Sequence, residues 1–325
     1  AVKVVYTPLH GTGNIPVRAV LERFDVSVVG SQEQPDGDFT TVRSPNPEER
    51  DALTLGIEQA RAEGADLVLG TDPDCDRVGV AVRHQGDFVL LTGNQIGALL
   101  VDFVTHHRAS TPQSLLVKTI VTNELGATIG RSRGLVVEDT LTGFKYIGDR
   151  INHYEKTGDR QFVIGYEESF GYLVGTHARD KDAVVASLLI VEMAAWHKDK
   201  GHTLIDALDE LYSQYGFFLD ALDAFTLKGA DGAARIQTIM AELRANGQSI
   251  LPALQTVKDY AQGIDGLPAE NVLKFILTDH SWIAVRPSGT EPKIKVYYSI
   301  QDDSREGAQK RLDEYRAIFH KIVEG

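Results

Sequence analysis

Short apolar runs alternate with amphipathic stretches along the first part of the chain. The runs Val2–Tyr6, Leu67–Leu69 and Val78–Val82 predict strands, and Pro47–Ala62, with Asn46 as its cap, is predicted to be a helix. Because strands and helices alternate, the pattern predicts a mostly parallel sheet with helices on its faces.

A second alternating unit follows and then gives way to a different pattern. Predicted strands at Leu115–Ile120 and Gln161–Ile164 are separated by helices, and Ala183–His197 is a long apolar helix. Beyond Gly216 the predicted strands follow one another directly, which favours antiparallel pairing. These strands lie at Phe217–Leu227, Asn271–Thr278, Ser281–Val285 and Lys293–Ser299.

The predicted fold class is therefore α/β. We expect two consecutive mixed α/β sandwich domains, at residues 1–93 and 94–216, followed by a smaller antiparallel α+β C-terminal domain at residues 217–325. A chain of 325 residues with 42% hydrophobic and 24% charged residues has enough apolar mass for such cores.

The charge balance limits the classes of partner. With 33 Lys and Arg against 46 Asp and Glu, the net charge is −13, so the chain as a whole repels nucleic acid and anionic membranes. The longest apolar run, Ala183–Trp196, is too short to span a bilayer. We expect no nucleic-acid or membrane partner, and any anion must bind in a local basic pocket.

The single cysteine and the start of the chain give two further expectations. Cys75 alone excludes an internal disulfide framework and is consistent with a reducing cytoplasm. The chain begins without Met or a signal peptide and enters a predicted strand at once. We therefore expect a cytoplasmic protein with a further segment before Ala1.

The first segment that could carry chemistry is an acidic loop, Gly70–Arg77. Asp72, Asp74 and Asp76 occupy alternate positions directly after an apolar strand, where open α/β sheets place ligands. Three such carboxylates can converge on one hard cation such as Mg²⁺, and Arg77 indicates an anion beside it. The alternative is an acidic surface turn; an EF-hand is excluded because Arg77 stands where glycine is needed.

Two further loops also follow predicted strands. In the first, Arg286, Ser288, Gly289 and Thr290 offer a guanidinium, two hydroxyls and accessible backbone N–H groups, which are the parts of a phosphate cradle. The alternative is an ordinary hairpin turn. In the second, Gly165–Tyr172, Glu167, Glu168 and Ser169 could bind vicinal sugar hydroxyls, or the segment is a glycine-punctuated turn.

Three smaller features complete the candidate set. Thr142–Lys145 is a strand-to-helix turn with a cation, and Arg179–Asp182 is either a functional segment or a solvated charge run. Lys118 lies inside an apolar strand, where it either serves an active site or pairs with a carboxylate. A glycosidase using Glu167 and Glu168 is disfavoured, because adjacent residues of an extended segment point apart.

In their order along the chain, these segments resemble the α-D-phosphohexomutases, in particular the bacterial phosphoglucomutase group that includes phosphopentomutase-like members. Tyr6–Gly13 is similar to the opening of the family's second domain and Gly70–Arg77 to its metal loop. Thr142–Lys145 and Gly165–Gly171 resemble the sugar loops of the third domain, and Arg286–Thr290 the phosphate loop of the fourth. The resemblance covers essentially the whole chain.

The resemblance implies an isomerase of which these 325 residues are an incomplete part. Family members carry a phosphorylated serine in a first domain, in a Thr-Ala-Ser-His-Asn-Pro-type loop that this sequence does not contain. The complete enzyme would interconvert glucose 1-phosphate and glucose 6-phosphate through the phosphoserine and glucose 1,6-bisphosphate. The missing partner would be the N-terminal domain of the same protein, and the chain alone would be inactive.

The resemblance also assigns roles. Asp72, Asp74 and Asp76 would hold Mg²⁺, with Arg77 and Lys118 neutralising the reacting phosphate. The phosphosugar would be bound by Thr142, Gly143, Lys145, Glu167, Ser169 and Lys181, and its other phosphate by Arg286, Ser288, Gly289 and Thr290. Phosphopentomutase or phosphomannomutase activity, a non-catalytic sugar-phosphate binding protein and a Mg²⁺-dependent phosphatase with an aspartate nucleophile remain alternatives.

Overall fold

The computed structural model describes residues 1–227, 229, 231–251, 253–289 and 291–325. These residues divide into two units, Ala1–Leu211 and Tyr212–Gly325. The strands are β1 (Lys3–Thr7), β2 (Asp25–Val28), β3 (Leu67–Thr71), β4 (Val78–His84), β5 (Asp87–Leu90), β6 (Ser114–Thr119), β7 (Val136–Thr140), β8 (Gln161–Glu167), β9 (Gly171–Val174), β10 (Phe217–Thr226), β11 (Leu254–Asp259), β12 (Leu273–Leu277), β13 (Trp282–Pro287) and β14 (Lys293–Asp302).

The helices are α1 (Asn14–Val20), α2 (Arg50–Glu63), α3 (Gly93–His107), α4 (Leu125–Ser132), α5 (Phe144–Thr157), α6 (Ala183–Lys198), α7 (Leu204–Tyr215), α8 (Gly232–Ile250) and α9 (Arg305–Glu324). No helix among the described residues has the length and apolar content needed to cross a bilayer. α2 begins three residues later than predicted, because Asn46 forms a separate turn in which its side chain accepts from Glu48 N at 3.1 Å.

The first unit contains two sheets of the same design. One has the strand order β2-β1-β3-β4-β5 and the other β7-β6-β8-β9. In each sheet three neighbouring strands are parallel and the strands that follow are antiparallel. Helix α6 packs against β4 of one sheet and β9 of the other. The loops that the sequence analysis identified as candidates for chemistry in this unit follow the carboxyl ends of the parallel strands β3, β7 and β8.

The second unit is an antiparallel sheet covered by two helices. Its strand order is β10-β14-β13-β12-β11, and every neighbouring pair is antiparallel. Helices α8 and α9 pack on the sheet, and Phe275, Tyr298 and Phe319 are buried in its core. The edge strand β11 was not predicted from the sequence.

The predicted fold class is thus confirmed: two mixed α/β sheets precede an antiparallel α+β part. The predicted boundaries at 93/94 and 216/217 fall at element ends. Gly93 is the first residue of α3, and Gly216 lies between α7 and β10. The division into three domains at these residues stays a prediction.

Candidate active site

The acidic loop is built directly on the end of β3. Asp72 is 1% exposed, Asp76 is partly buried and Asp74 is exposed. One carboxylate oxygen from each lies within 4.8 Å of the others, and no other such group of metal-ligating side chains occurs in the described part of the chain. The structure therefore brings together the three aspartates that sequence predicted as metal ligands.

Hydrogen bonds fix the shape of this loop from inside. Asp72 Oδ1 accepts from the backbone N–H groups of Asp76 (3.1 Å) and Arg77 (2.9 Å), and Cys75 N donates to Asp72 O at 2.9 Å. Cys75 adopts a left-handed conformation with φ 59°. Burial raises the pKa of Asp72 to about 6, although the bonds from Arg77 act in the opposite direction. The loop is preformed around a carboxylate that is costly to ionise.

The donor set fits a hard cation. Asp76 Oδ1 is buried and has no hydrogen-bond partner, and Arg77 Nε lies 3.7 Å away. A buried carboxylate oxygen without a partner is unfavourable, and a divalent cation bound by oxygen ligands would satisfy it.

Arg77 is held by carboxylates on two sides. Its Nε donates to Asp72 Oδ2 at 2.8 Å, and its Nη1 donates to Glu48 Oε1 at 2.9 Å. A guanidinium has five N–H donors, so these two bonds leave donors of both Nη atoms for an anion. Sequence reasoning missed Glu48, although it directly follows the Pro-Asn-Pro segment that ends at Pro47.

The segment Gly165–Tyr172, predicted to bind the sugar and called here the sugar-recognition segment, is the end of β8 and the turn into β9. Glu167 is buried, and its Oε1 accepts from Gly143 N at 2.9 Å, which joins this segment to the turn at the start of α5. Burial raises the pKa of Glu167, and the ammonium of Lys181 partly offsets that effect. Thr142 Oγ1 is buried without a hydrogen-bond partner. The structure thus brings Thr142, Gly143 and Glu167 together.

Lys181 connects these sugar loops to the acidic loop. Its Nζ lies 3.0 Å from Asp76 Oδ2. Backbone contacts join the same segments, because Val78 N donates to Phe170 O at 3.2 Å and Ala183 N donates to Cys75 O at 3.2 Å. The acidic loop and the sugar-recognition segment are therefore parts of one site in the first unit.

Two predicted residues are less constrained. Ser169 is partly buried in the turn between β8 and β9. Lys145 is exposed, with Nζ 4.9 Å from the centre of the Tyr146 ring. Their predicted contacts with a sugar stay predictions.

Glu168 and Lys118 face the interior instead. Glu168 Oε2 accepts from the hydroxyls of Thr119 (3.1 Å) and Thr122 (3.2 Å), and burial together with the charge of Glu167 raises the pKa of Glu168 to about 7. Lys118 is fully buried. Its Nζ pairs with Glu124 Oε1 and with Asp139 Oδ1, both at 2.9 Å.

These ion pairs favour the structural alternative for Lys118. The Lys118 ammonium is 0% exposed, and two carboxylates already balance its charge. It would therefore attract a phosphate only weakly. The ion pairs favour a supporting role beneath the segments after β7 and β8, and the predicted catalytic role of Lys118 stays a prediction.

The phosphate loop belongs to the second unit and joins β13 to β14. Arg286 Nε donates to Glu270 Oε1 at 3.0 Å, and Ser288 N donates to Lys293 O at 2.8 Å. Gly289 is exposed, with open space where a Cβ would lie. Thr290, the fourth predicted phosphate ligand, lies outside the described residues. A cavity of about 310 Å³ is lined by Pro287, Ser288, Gly289, Glu291, Pro292 and residues of α8.

Comparisons with known proteins agree with this arrangement. Three phosphoglucomutase/phosphomannomutase family models match the chain: alpha/beta/alpha domain II at residues 1–86, alpha/beta/alpha domain III at residues 92–215 and the C-terminal domain at residues 231–315. Together they account for most of the 325 residues.

The chain belongs to this family.

Relatives in the phosphoglucomutase/phosphomannomutase family are longer than the chain. A phosphoglucomutase of Staphylococcus epidermidis is 36% identical over 335 residues, covering 98% of this chain and 60% of the relative. One of Staphylococcus saprophyticus is 38% identical, covering 92% and 57%. The chain thus spans about three fifths of the length of these relatives.

Solved structures share the fold. The crystal structure of the exocytosis-sensitive phosphoprotein pp63/parafusin from Paramecium superposes with a TM-score of 0.75 at 18% identity, covering 99% of this chain and 57% of that one. A phosphoglucomutase/phosphomannomutase family protein from Burkholderia thailandensis gives 0.71 at 16% identity, covering 100% and 61%. The family resemblance and the fold expected from it are confirmed.

Proposed function

We propose that this protein is a phosphoglucomutase that interconverts glucose 1-phosphate and glucose 6-phosphate. The observation that carries the proposal is the contact between the acidic loop and the sugar loops, with Lys181 Nζ 3.0 Å from Asp76 Oδ2 and Gly143 bound to Glu167. The Staphylococcus relatives, which are named phosphoglucomutases, support the same substrate.

In this proposal Asp72, Asp74 and Asp76 hold Mg²⁺. When bound, Mg²⁺ would supply charge neutralisation for the phosphoryl group in transfer. The chain's own contribution is to fix the central carboxylate beforehand: two backbone N–H groups hold Asp72, so little reorganisation of this side chain is needed when the metal ion binds.

Arg77 and the sugar loops position the reacting end of the substrate. Asp72 and Glu48 hold the Arg77 guanidinium, which presents its remaining N–H groups to a phosphate. Glu167, Ser169 and Thr142 would bind sugar hydroxyls, and the buried Thr142 hydroxyl has no protein partner to give up. Such fixed contacts convert binding energy into orientation.

The phosphate loop would hold the phosphate that does not react. Arg286 offers a planar fork suited to two parallel bonds with a phosphate, with Ser288 and the accessible backbone of Gly289 beside it. Lys145 and Lys181 add positive charge near the sugar, which an acidic chain must provide locally.

The transferred group needs a carrier that these residues do not supply. We propose that a phosphoserine outside these 325 residues donates its phosphoryl group to the free hydroxyl of glucose 1-phosphate. Glucose 1,6-bisphosphate forms and changes its orientation in the site. It then returns its other phosphate to the serine. The isolated chain therefore binds the phosphosugar without isomerising it.

An aspartate-dependent phosphatase is disfavoured by the geometry of the acidic loop. Both carboxylate oxygens of Asp72 already accept hydrogen bonds, Oδ1 from two backbone N–H groups and Oδ2 from Arg77. Oδ1 thus has both lone pairs occupied, and the one left on Oδ2 is the one that the proposed cation would use, so Asp72 would keep none for nucleophilic attack on phosphorus.

Calorimetric titration of the chain with hexose and pentose phosphates tests the proposed substrate. We expect glucose 1-phosphate to bind more tightly than mannose 1-phosphate, ribose 1-phosphate and inorganic phosphate. The Glu167→Gln variant should lose this preference. The Glu63→Gln variant should keep it, because Glu63 lies at the end of α2, far from Glu167 in the sequence. Tighter binding of mannose or ribose 1-phosphate would assign the protein to another activity of the family.

A further inference from the structure

Lys181 lies between the proposed metal ligands and the proposed sugar ligands. Its ammonium is 3.0 Å from Asp76 Oδ2 and interacts electrostatically with the carboxylate of Glu167. Its side chain passes directly over Gly171, where an added Cβ would lie 2.6 Å from Lys181 Cγ. The lack of a side chain at Gly171 gives this stem its path to Asp76.

The backbone on the C-terminal side of Lys181 is fixed at both loops. Asp182 N donates to Tyr172 O at 2.9 Å, and Ala183 N donates to Cys75 O at 3.2 Å. Since the main chain is tied to β9 and to the acidic loop, a change of partner for Lys181 requires rotation of its side chain alone. Its four-carbon stem allows such a rotation.

The two oxygens of Asp76 are in different situations. Oδ2 is paired with Lys181, whereas Oδ1 is buried without a hydrogen-bond partner. A divalent cation held by the three aspartates would lie at the same carboxylate as the ammonium. Two like charges at one carboxylate repel each other, so both cannot bind Asp76 at full strength.

We propose that Lys181 and the divalent cation compete for Asp76, so that metal binding releases the ammonium toward Glu167 and the phosphosugar. This inference rests on the metal and sugar assignments of the proposed function. Without metal, Lys181 neutralises the acidic loop; with metal, it becomes available to the substrate. Metal binding and phosphosugar binding then strengthen each other by the same factor, as linkage requires.

The first test is a calorimetric titration of the chain with Mn²⁺ as the probe metal. Lys181→Met keeps an unbranched, flexible stem and removes the ammonium. We expect the dissociation constant for Mn²⁺ to fall roughly 5- to 150-fold, the range typical of coupling between two ligands. Lys198→Met is the matched control, because it removes an ammonium 2.8 Å from Asp66 in the same unit, and it should bind Mn²⁺ as the parent does.

The outcomes separate this inference from the proposed function. If the parent and Lys181→Met bind Mn²⁺ equally, the competition is wrong and the metal site stands. If neither binds Mn²⁺ saturably, the metal site of the proposed function is wrong and the competition falls with it. Gly171→Ala provides a second variant, since it displaces the stem but keeps the charge; it should also tighten Mn²⁺ binding, and weaker binding would contradict the competition.

The second test measures the linkage from the other ligand. Glucose 1-phosphate is titrated into the parent and into Lys181→Met, each with and without Mn²⁺. The parent should bind the phosphosugar more tightly when Mn²⁺ is present, and Lys181→Met should lose that gain. An equal gain in both proteins would show that the metal acts on the sugar without Lys181 and would overturn the proposal.

Discussion

The acidic loop after β3 and the phosphate loop after β13 each carry an arginine next to a strand end, yet they are held in opposite ways. Asp72, at the centre of the acidic loop, is 1% exposed. The backbone of this loop forms a bridge with Gly171, the first residue of β9, and accepts a hydrogen bond from Ala183, the first residue of α6. Gly289, in the phosphate loop, is exposed and has open space around it. The first loop is a rigid frame, whereas the second is open to a ligand.

The two arginines differ in the same way. Arg77 contacts three carboxylates, those of Asp72, Glu48 and Asp76, whereas Arg286 has the one carboxylate partner Glu270 in the described part of its unit. A reacting phosphoryl group requires groups that are already in position. In the proposed function the non-reacting phosphate would require only capture and release, for which an open loop is sufficient. The predictions below test this difference.

The largest effect is expected at the proposed metal ligands. Replacing Asp72, Asp74 and Asp76 together by Asn removes the charges that a hard cation needs, so metal binding should be lost altogether. Calorimetric titration with Mn²⁺ measures the loss, with Asp66→Asn as the control for a carboxylate elsewhere in the unit. Unchanged binding by the triple variant would make the acidic loop a surface turn.

The next effect is expected at the phosphate loop. Arg286→Ala should weaken binding of glucose 1-phosphate by about 1.5–3 kcal/mol, the range for hydrogen bonds to charged groups. Arg286→Lys should recover only part of this, because an ammonium lacks the planar fork. Metal binding should be unchanged in both. If both variants bind the phosphosugar as tightly as the parent, the loop is an ordinary hairpin turn.

A pair of glycine substitutions tests the difference in packing. A Cβ on Gly11 would collide with the backbone of Pro73 in the acidic loop, whereas a Cβ on Gly289 would meet open space. Gly11→Ala should therefore destabilise its unit by about 1–3 kcal/mol, as overpacking does. Gly289→Ala should stay within about 0.5 kcal/mol of the parent, as surface substitutions usually do.

Urea unfolding can follow the two units separately, since Trp196 belongs to the first and Trp282 to the second. Each tryptophan is replaced by Phe in turn, and the other then reports its own unit by fluorescence. Equal shifts for Gly11→Ala and Gly289→Ala would contradict the contrast between a closely packed and an open loop.

The smallest effect concerns pH. The pKa of Glu168 is raised to about 7, so between about pH 4.5 and 7 the folded state holds a proton that the unfolded state has lost. This contribution to stability is complete below that window and is lost as pH rises through it. Glu168→Gln should remove this pH dependence. As pH rises through the window, the variant should gain about 1 kcal/mol of stability relative to the parent. This is less than the ~1.4 kcal/mol per pKa unit that the whole shift would give, because the Thr119 and Thr122 hydroxyls remain.

Thermal unfolding of the parent and Glu168→Gln at several pH values checks this prediction. Glu63→Gln, which replaces a partly exposed carboxylate of α2, provides the control. A constant difference between the Glu168→Gln variant and the parent from pH 4.5 to 7 would contradict the assignment.

Periodicity and loop composition predicted the parts of the molecule that depend on local sequence. The alternation of strands and helices follows from buried apolar runs, and the acidic loop could be found because Asp72, Asp74 and Asp76 are close in the sequence. Strand β11 was missed because its hydrophobic pattern is weak. It lies at the edge of the sheet, and three consecutive residues, Gln255, Thr256 and Val257, are exposed.

Contacts between distant segments could not be predicted in this way. Glu48 lies 29 positions before Arg77, and Lys181 lies over 100 positions after Asp76, so nothing local indicates either pair. Lys118 shows the same limit, because its strand gave no sign that Glu124 and Asp139 would both reach its ammonium. Only the register of the sheet and the turns after its strands bring these charges together.

The central claim is that these loops serve phosphoglucomutase chemistry with a phosphoserine outside these 325 residues, and turnover tests it most directly. Conversion of glucose 1-phosphate to glucose 6-phosphate is followed in a coupled assay with Mg²⁺ and glucose 1,6-bisphosphate. The 325-residue chain should give no turnover, whereas the protein expressed with whatever precedes Ala1 in its reading frame should turn over and lose that activity in Asp76→Asn. Turnover by the 325-residue chain well above its Asp76→Asn variant, or activity of the longer protein that Asp76→Asn leaves intact, would contradict the account.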